Sequence, residues 1–197
     1  MREIVFVLDR SGSMSGLESD VIGGYNSLIN EQKKEKGEAN VTTVLFDDHY
    51  DIISNGVNVK KIERLTNKQY WARGSTALLD AIGKTIKLID ARVEADDKVL
   101  FIINTDGKEN SSFEFSTKDV FEMITHLRDE HNWEFVFLGA NMDSFAVSRD
   151  LGIAYADNWV PTSAGINAVY TATSNLTRGW RNSATGDIDE EQLKTSN

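Results

Sequence analysis

Three short segments of this chain contain no side chain that favours water. Ile4 to Leu8, Val99 to Ile103 and Phe135 to Leu138 are wholly apolar and rich in β-branched and aromatic residues. Successive side chains of a strand point to opposite faces, so such a strand must be covered on both. That is the signature of a parallel sheet flanked by helices. Between these runs the apolar period changes. Leu17, Val21, Tyr25, Leu28 and Ile29 step by three and four, which predicts a helix from about Ser15 to Lys36, stopped by Gly37. Leu78, Leu79, Ile82, Ile86 and Ile89 predict a second helix, and Val120, Phe121, Ile124 and Leu127 a third. Val41 to Phe46 reads as a further strand, with a turn at Asp47-Asp48. Tyr50 to Ile53 can return beside it as a short antiparallel edge, closed by Asn55-Gly56. The pattern is that of a three-layer α/β/α fold with a mainly parallel central sheet.

Past Gly139 the pattern weakens. Phe145 to Leu151 predicts a short helix, Ile153 to Ala156 a short strand, and Ile166 to Trp180 a last helix rich in threonine and asparagine. No low-complexity linker interrupts residues 1–182, so they read as a single domain. Residues 183–197 are polar and carry the acidic run Asp187-Ile188-Asp189-Glu190-Glu191, which predicts a flexible, loosely attached tail.

Composition narrows the function. Asp plus Glu number 31 against 21 Lys plus Arg, a net charge of −10. A surface so acidic argues against nucleic acid and anionic membranes as partners and suits the binding of cations. Cysteine is absent, which removes disulfides, thiolate metal sites and a cysteine nucleophile together. No run approaches the ~18 apolar residues of a membrane span, and the five at the N-terminus are too few for a signal-peptide core. The expectation is a cytoplasmic protein.

The residues with chemistry lie where strands end. The first apolar run leads into Asp9-Arg10-Ser11-Gly12-Ser13, and the run from Val99 leads into Asn104-Thr105-Asp106-Gly107. Gly74-Ser75-Thr76 lies just before the second helix. Open parallel sheets bind ligands beyond the carboxyl ends of their strands, so Asp9 and Asp106 should face one crevice. Asp9, Ser11, Ser13, Thr76 and Asp106 offer only oxygen. Oxygen-only donors suit a hard divalent cation, Mg²⁺ with Mn²⁺ or Ca²⁺ as alternatives, and disfavour zinc or copper. Two carboxylates match a 2+ charge, and the neutral hydroxyls leave an open position electrophilic.

Asp9-x-Ser11-x-Ser13, Thr76 and Thr105-Asp106-Gly107, each in its strand or helix context, resemble the metal-ion-dependent adhesion site of the von Willebrand factor A domain. The resemblance covers roughly residues 2 to 155. It implies a Rossmann-like fold with one short antiparallel edge strand. It implies that the two serines, and in many states the threonine, touch the metal directly, while the aspartates often act through water. It also implies a protein partner that presents an Asp or Glu to complete the coordination sphere. Two positions depart from the family pattern: Arg73-Gly74-Ser75 stands where two glycines often precede the threonine, and Asn104 replaces an apolar residue. The region from Trp133 to Trp180, with Phe137-Leu138-Gly139-Ala140-Asn141, is similar to that of small stand-alone A-domain proteins of bacteria and their phages.

Around this centre Met14, Trp71 and Arg73 are candidates for a partner-binding rim, because aromatics and arginine anchor interfaces. Trp71 could equally pack under its own loop. Asp80, one helical turn past Thr76, reads as a solvated helix residue or as a support for the site. Asp47 and Asp48 read as turn residues. His49, His126 and His131 show no metal-pair spacing. The leading reading is therefore a divalent-cation-dependent protein-binding module without enzymatic activity. Because the chain is acidic, the ion must supply the local positive focus for an acidic partner residue. Two other readings stand beside it: a Mg²⁺-dependent phosphate-ester hydrolase, for which no general base or basic phosphate clamp is evident, and a scaffold with a vestigial metal site.

Overall fold

The computed structural model describes residues 1–140 and 143–188. Six strands form one sheet: β1 (Arg2–Asp9), β2 (Asn40–Phe46), β3 (Tyr50–Asn58), β4 (Lys98–Thr105), β5 (Trp133–Ala140) and β6 (Tyr155–Trp159). Five helices connect or flank them: α1 (Glu18–Lys34), α2 (Leu78–Asp90), α3 (Thr117–His131), α4 (Ser144–Asp150) and α5 (Ser163–Asn182). The sheet order is β3-β2-β1-β4-β5-β6. Every pairing is parallel except that of β3, which runs antiparallel along β2.

The all-apolar strands divide their side chains as the two-residue period requires. Ile4, Phe6 and Leu8 of β1 face α1 and α5, packing with Tyr25, Leu28, Val169 and Trp180. Val5 and Val7 face the other layer, with Ile82 and Ile86 of α2 and Ile124 of α3. Strand β4 repeats this division with Leu100 and Ile102 on one side and Phe101 and Ile103 on the other. Helices α1 and α5 approach closely at Gly24, where a Cβ would lie 2.3 Å from the Tyr170 ring. Thr173 and Thr177 fit the buried face of α5 because their hydroxyls donate to carbonyls one turn back, each at 2.7 Å.

Several boundaries differ from expectation, each for a local reason. The predicted first helix begins only at Glu18, because Gly12–Met14 forms a separate 3-10 turn. Asn55-Gly56 does not close the edge hairpin. Strand β3 continues to Asn58, and Gly56, at φ 61°, sits in an irregularity where the register slips between Val41 and Thr43. A glycine at positive φ serves a bulge as readily as a turn. The expected strand at Ile153 to Ala156 lies further along, at Tyr155–Trp159. Ile153 is instead a buried plug after α4. Of the expected tail, residues 183–188 lie against the body. The Arg2 side chain donates to the Ser183 carbonyl, Lys98 Nζ donates to the Ala184 carbonyl at 2.8 Å, and Ile188 is buried beside α5. Residues 189–197 and Asn141 lie outside the described residues.

The order of the strands fixes where a site can form. From β1 the chain crosses to β2 on one side, and β4 lies on the other. The loops after β1 and β4 therefore diverge and leave a crevice at the carboxyl end of the sheet.

Candidate metal centre

Strand β1 ends at Asp9, which is almost fully buried. Its Oδ1 accepts the Ser11 N–H at 2.6 Å, and its Oδ2 accepts the Thr105 hydroxyl from the end of β4. The Tyr70 hydroxyl donates to the Asp9 carbonyl at 2.5 Å. Beyond Asp9 the chain turns sharply, with the Gly12 N–H donating to the Gly74 carbonyl at 3.1 Å. This turn brings the Ser11 and Ser13 hydroxyls to 3.0 Å from each other. The Ser13 hydroxyl also donates to Asp106 Oδ1 at 2.5 Å.

Thr76 arrives from the loop before α2 and is clamped by Asn110. The Thr76 N–H donates to Asn110 Oδ1 at 2.9 Å, and the Asn110 N–H donates to the Thr76 carbonyl at 3.1 Å. The convergence point is visible at Gly107. A Cβ there would lie 2.7 Å from Thr76 Oγ1, 3.1 Å from Ser13 Oγ and 3.2 Å from Ser11 Oγ. Three hydroxyls from two loops thus surround one small space that only a glycine at 107 leaves open, with Asp106 hydrogen-bonded at its edge. All the donors are oxygen, and the space is bounded by hydroxyls and a carboxylate, so the residues present suit a hard cation. Ser13 is exposed, whereas Asp9, Ser11, Thr76 and Asp106 are buried, so the centre opens to solvent on the Ser13 side.

The electrostatics point the same way. Burial pushes the Asp9 carboxyl up to about 6, against the hydrogen bonds from Thr105 and Ser11, and the Asp106 charge adds to the rise. Asp106 is also raised, chiefly by burial. Among the described residues no lysine, arginine or histidine side chain forms an ion pair with either carboxylate. The two acids lack the counter-charge that burial calls for.

The rim candidates fare differently. Met14 is not at the rim: the 3-10 turn directs its side chain into the core, where it is 1% exposed beside Leu8 and Tyr25. Trp71 is 42% exposed, with the guanidinium of Arg10 5.5 Å and that of Arg73 5.1 Å from its ring centre. Arg73 Nε and the buried Arg10 Nε both donate to Asp47 Oδ2, at 2.7 and 2.8 Å. The departure at Arg73 therefore ties the Thr76 loop to the Asp9 loop. Asp47 is buried and works as the hub of this pairing, well beyond a turn role, and its arginine partners and the His49 N–H hold its carboxyl below the ordinary range despite burial. Asp47, Asp48 and His49 do bring three potential ligand atoms within 4.8 Å of one another. With both arginines already on Asp47, that trio is committed to ion pairing.

Asp80 is not a solvated helix residue. It is buried, and its carboxylate accepts the N–H groups of Phe113, Glu114 and Phe115 at 3.1, 2.9 and 3.0 Å. Glu109 accepts the N–H groups of Leu79, Ser111 and Ser112. Together with Asn110 these residues staple the loop after β4 to the start of α2 and so position Thr76 against Asp106. Sequence reasoning missed Glu109 and Asn110, whose only signal was their closeness to Asp106. His126 and His131 also meet, with ring centres 5.0 Å apart, because the second lies at the very end of α3.

No protein-family model matches the chain, and no curated protein matches it in sequence. Solved structures do match in shape. A von Willebrand factor type A protein from Catenulispora acidiphila superposes with a TM-score of 0.62 at 14% identity, over 90% of this chain and 43% of the other. The proximal thread matrix protein 1 of the mussel byssus, solved with a zinc-occupied metal-ion-dependent adhesion site, gives 0.64 at 14% identity, over 90% and 46%. The manganese-loaded TRAP protein of Plasmodium vivax gives 0.57 at 18%, over 82% and 69%. The chain spans less than half the length of the first two. Among the described residues no helix is long and apolar enough to cross a membrane. The sheet, its single antiparallel strand and these superpositions agree: the chain has the von Willebrand factor A fold.

Proposed function

We propose that this chain is a divalent-cation-dependent protein-binding module. Asp9, Ser11, Ser13, Thr76 and Asp106 would hold a hard ion of the Mg²⁺ type, with Mn²⁺ or Ca²⁺ as substitutes. The observation that carries this reading is the convergence of three hydroxyls on the space beside Gly107, with two cation-free buried carboxylates next to it. The zinc-occupied adhesion site of the mussel protein supports a metal at this position of the fold, and the manganese-loaded Plasmodium protein supports a divalent metal on this fold. When bound, the ion supplies a focused positive charge and an open position for a carboxylate. The protein's own groups prepare for it. Thr105 and the Ser11 N–H fix the rotamer of Asp9, and Asn110 fixes Thr76. The Ser13 side faces solvent, so a partner's Asp or Glu would enter there. Trp71 and Arg73 form the neighbouring rim.

We read the site as binding rather than catalytic. Among the described residues no histidine, lysine or arginine side chain hydrogen-bonds to the five candidate ligands. A hydrolase would need a base and a basic clamp there. The test is partner capture in Mg²⁺. Capture should be lost on adding EDTA and lost again in Asp106→Ala. Capture that survives both would reject the metal-bridged mechanism. Turnover of a phosphate ester in Mg²⁺ would reject the non-enzymatic reading.

A further inference from the structure

Next to the candidate metal centre lies a cavity of about 360 Å³ between the start of α2, the loop after β4 and α4. Leu78, Leu79, Ala146, Val147 and Leu151 give it apolar walls, and Gly107 closes its near end. Gly107 is also the residue on which the Ser11, Ser13 and Thr76 hydroxyls converge. One backbone position thus forms the partition between the metal cradle and the apolar cavity.

We propose that this cavity is a second subsite for the same protein partner: it takes an apolar side chain of the segment that presents Asp or Glu to the metal. The inference rests on the metal-binding reading above. Three observations select this occupant. The cavity and the cradle share Gly107 as a common wall, so they lie side by side and one short segment can reach both. Its volume and walls suit an aliphatic or aromatic side chain. Its charged edge is net acidic. Lys108 stands against Glu109, Asp143 and Asp150, and a second carboxylate of the partner would be repelled there. The walls are also held in place before any partner arrives. Glu109 accepts the Leu79 N–H at 3.0 Å, and the Asp143 carboxylate caps α4 by accepting the Ala146 N–H at 3.0 Å. A preformed cavity spares a partner the cost of ordering it. The metal then reads the carboxylate, and the cavity reads its neighbour, which makes the module selective among the many acidic residues of protein surfaces.

The test uses amide-capped pentapeptides on an alanine background. Each carries one Asp and one Leu, with the Leu one, two or three residues before or after. The full chain, labelled at Leu and Val methyl groups, is titrated in Mg²⁺, and Mn²⁺ binding is followed separately by calorimetry. At least one spacing should bind about tenfold or more tighter than the Leu-free peptide, about 1.4 kcal/mol. It should shift the methyl signals of Leu78, Leu79, Val147 and Leu151. Ala146→Trp, on the half-exposed face of α4, should fill the cavity, remove that gain and leave Mn²⁺ affinity unchanged. Intact Mn²⁺ binding with no gain at any spacing would overturn the subsite and leave the metal reading standing. So would a gain that persists in Ala146→Trp with silent cavity methyls in the wild type. Absence of Mn²⁺ binding would overturn both.

Discussion

Strand β1 carries a buried carboxylate at each end, and the two are treated in opposite ways. Glu3, at the amino end, accepts the Thr42 hydroxyl at 2.7 Å and the Arg92 guanidinium at 2.5 Å. Burial raises its pKa, and the arginine opposes the rise. Asp9, at the carboxyl end, has a hydroxyl and an N–H but, among the described residues, no cationic side chain, and Asp106 adds a second negative charge. At one end of the sheet an arginine partly offsets the burial of the carboxylate. At the other, among the described residues, no cationic side chain pairs with either Asp9 or Asp106. A buried carboxylate paired with an arginine serves the architecture; one left short of charge between converging hydroxyls is what the proposed metal site requires.

The largest effect is expected at the arginine-paired end. Glu3→Ala leaves Arg92 without its carboxylate partner and should cost about 3 kcal/mol in urea unfolding, the low end for a broken buried pair because Arg92 is partly exposed and keeps its bonds to Thr42 and Asn55. Asp9→Asn, by contrast, should leave the metal-free protein within about 1 kcal/mol of wild type, because it removes a charge that burial penalises. Equal losses in both variants would erase the distinction.

Gly107→Ala tests the cradle itself. Its Cβ would press on Thr76 Oγ1 at 2.7 Å, so Mn²⁺ affinity should fall about 100-fold, about 2.7 kcal/mol. Calorimetry reads this, and circular dichroism checks that the fold is retained.

The next effect is on pH. The folded pKa of Asp9, about 6, lies above its unfolded value, so folding favours the protonated form. The metal-free protein therefore gains stability from this group as pH falls through 6 and loses it as pH rises. Metal binding demands the ionised form, so Mg²⁺ affinity should fall by about tenfold per pH unit below 6. Urea melts at pH 5 and pH 7, with and without Mg²⁺, check this against Asp9→Asn. The Asp9 contribution should favour pH 5 without metal and pH 7 with it, and both preferences should vanish in the variant.

The smallest expected effect is at the rim. Arg73→Ala removes one of the two arginines on Asp47 and should cost no more than about 1 kcal/mol, since its side chain is 35% exposed and Arg10 remains. A larger loss of partner capture than of stability would show that Arg73 touches the partner.

Much of this was legible in the sequence because the informative residues are extreme. A strand with no polar side chain has one environment open to it, and β1, β4 and β5 were read correctly on that ground. Four oxygen donors at or just after strand ends and a fifth just before a helix could be gathered without coordinates, because the carboxyl edge of a parallel sheet is a fixed place. What was not legible depends on partners distant in the chain. Asp80 looks like any helix-surface acid until Phe113 to Phe115 return to it. Met14 looks like a rim residue until the 3-10 turn rotates it inward. Asn55-Gly56 encodes a positive φ but not whether a turn or a bulge uses it. Polar Asp157 and Asn158 hid an edge strand that pairs on one side only, with β5.

The proposal that Asp9, Ser11, Ser13, Thr76 and Asp106 hold a divalent ion at the carboxyl end of β1 can be tested in one titration. Calorimetric titration of the wild type with Mn²⁺, beside Asp106→Ala, tests it most directly. The account predicts one saturable site in the wild type and none in the variant. Equal binding by both proteins, or none by the wild type, would contradict it.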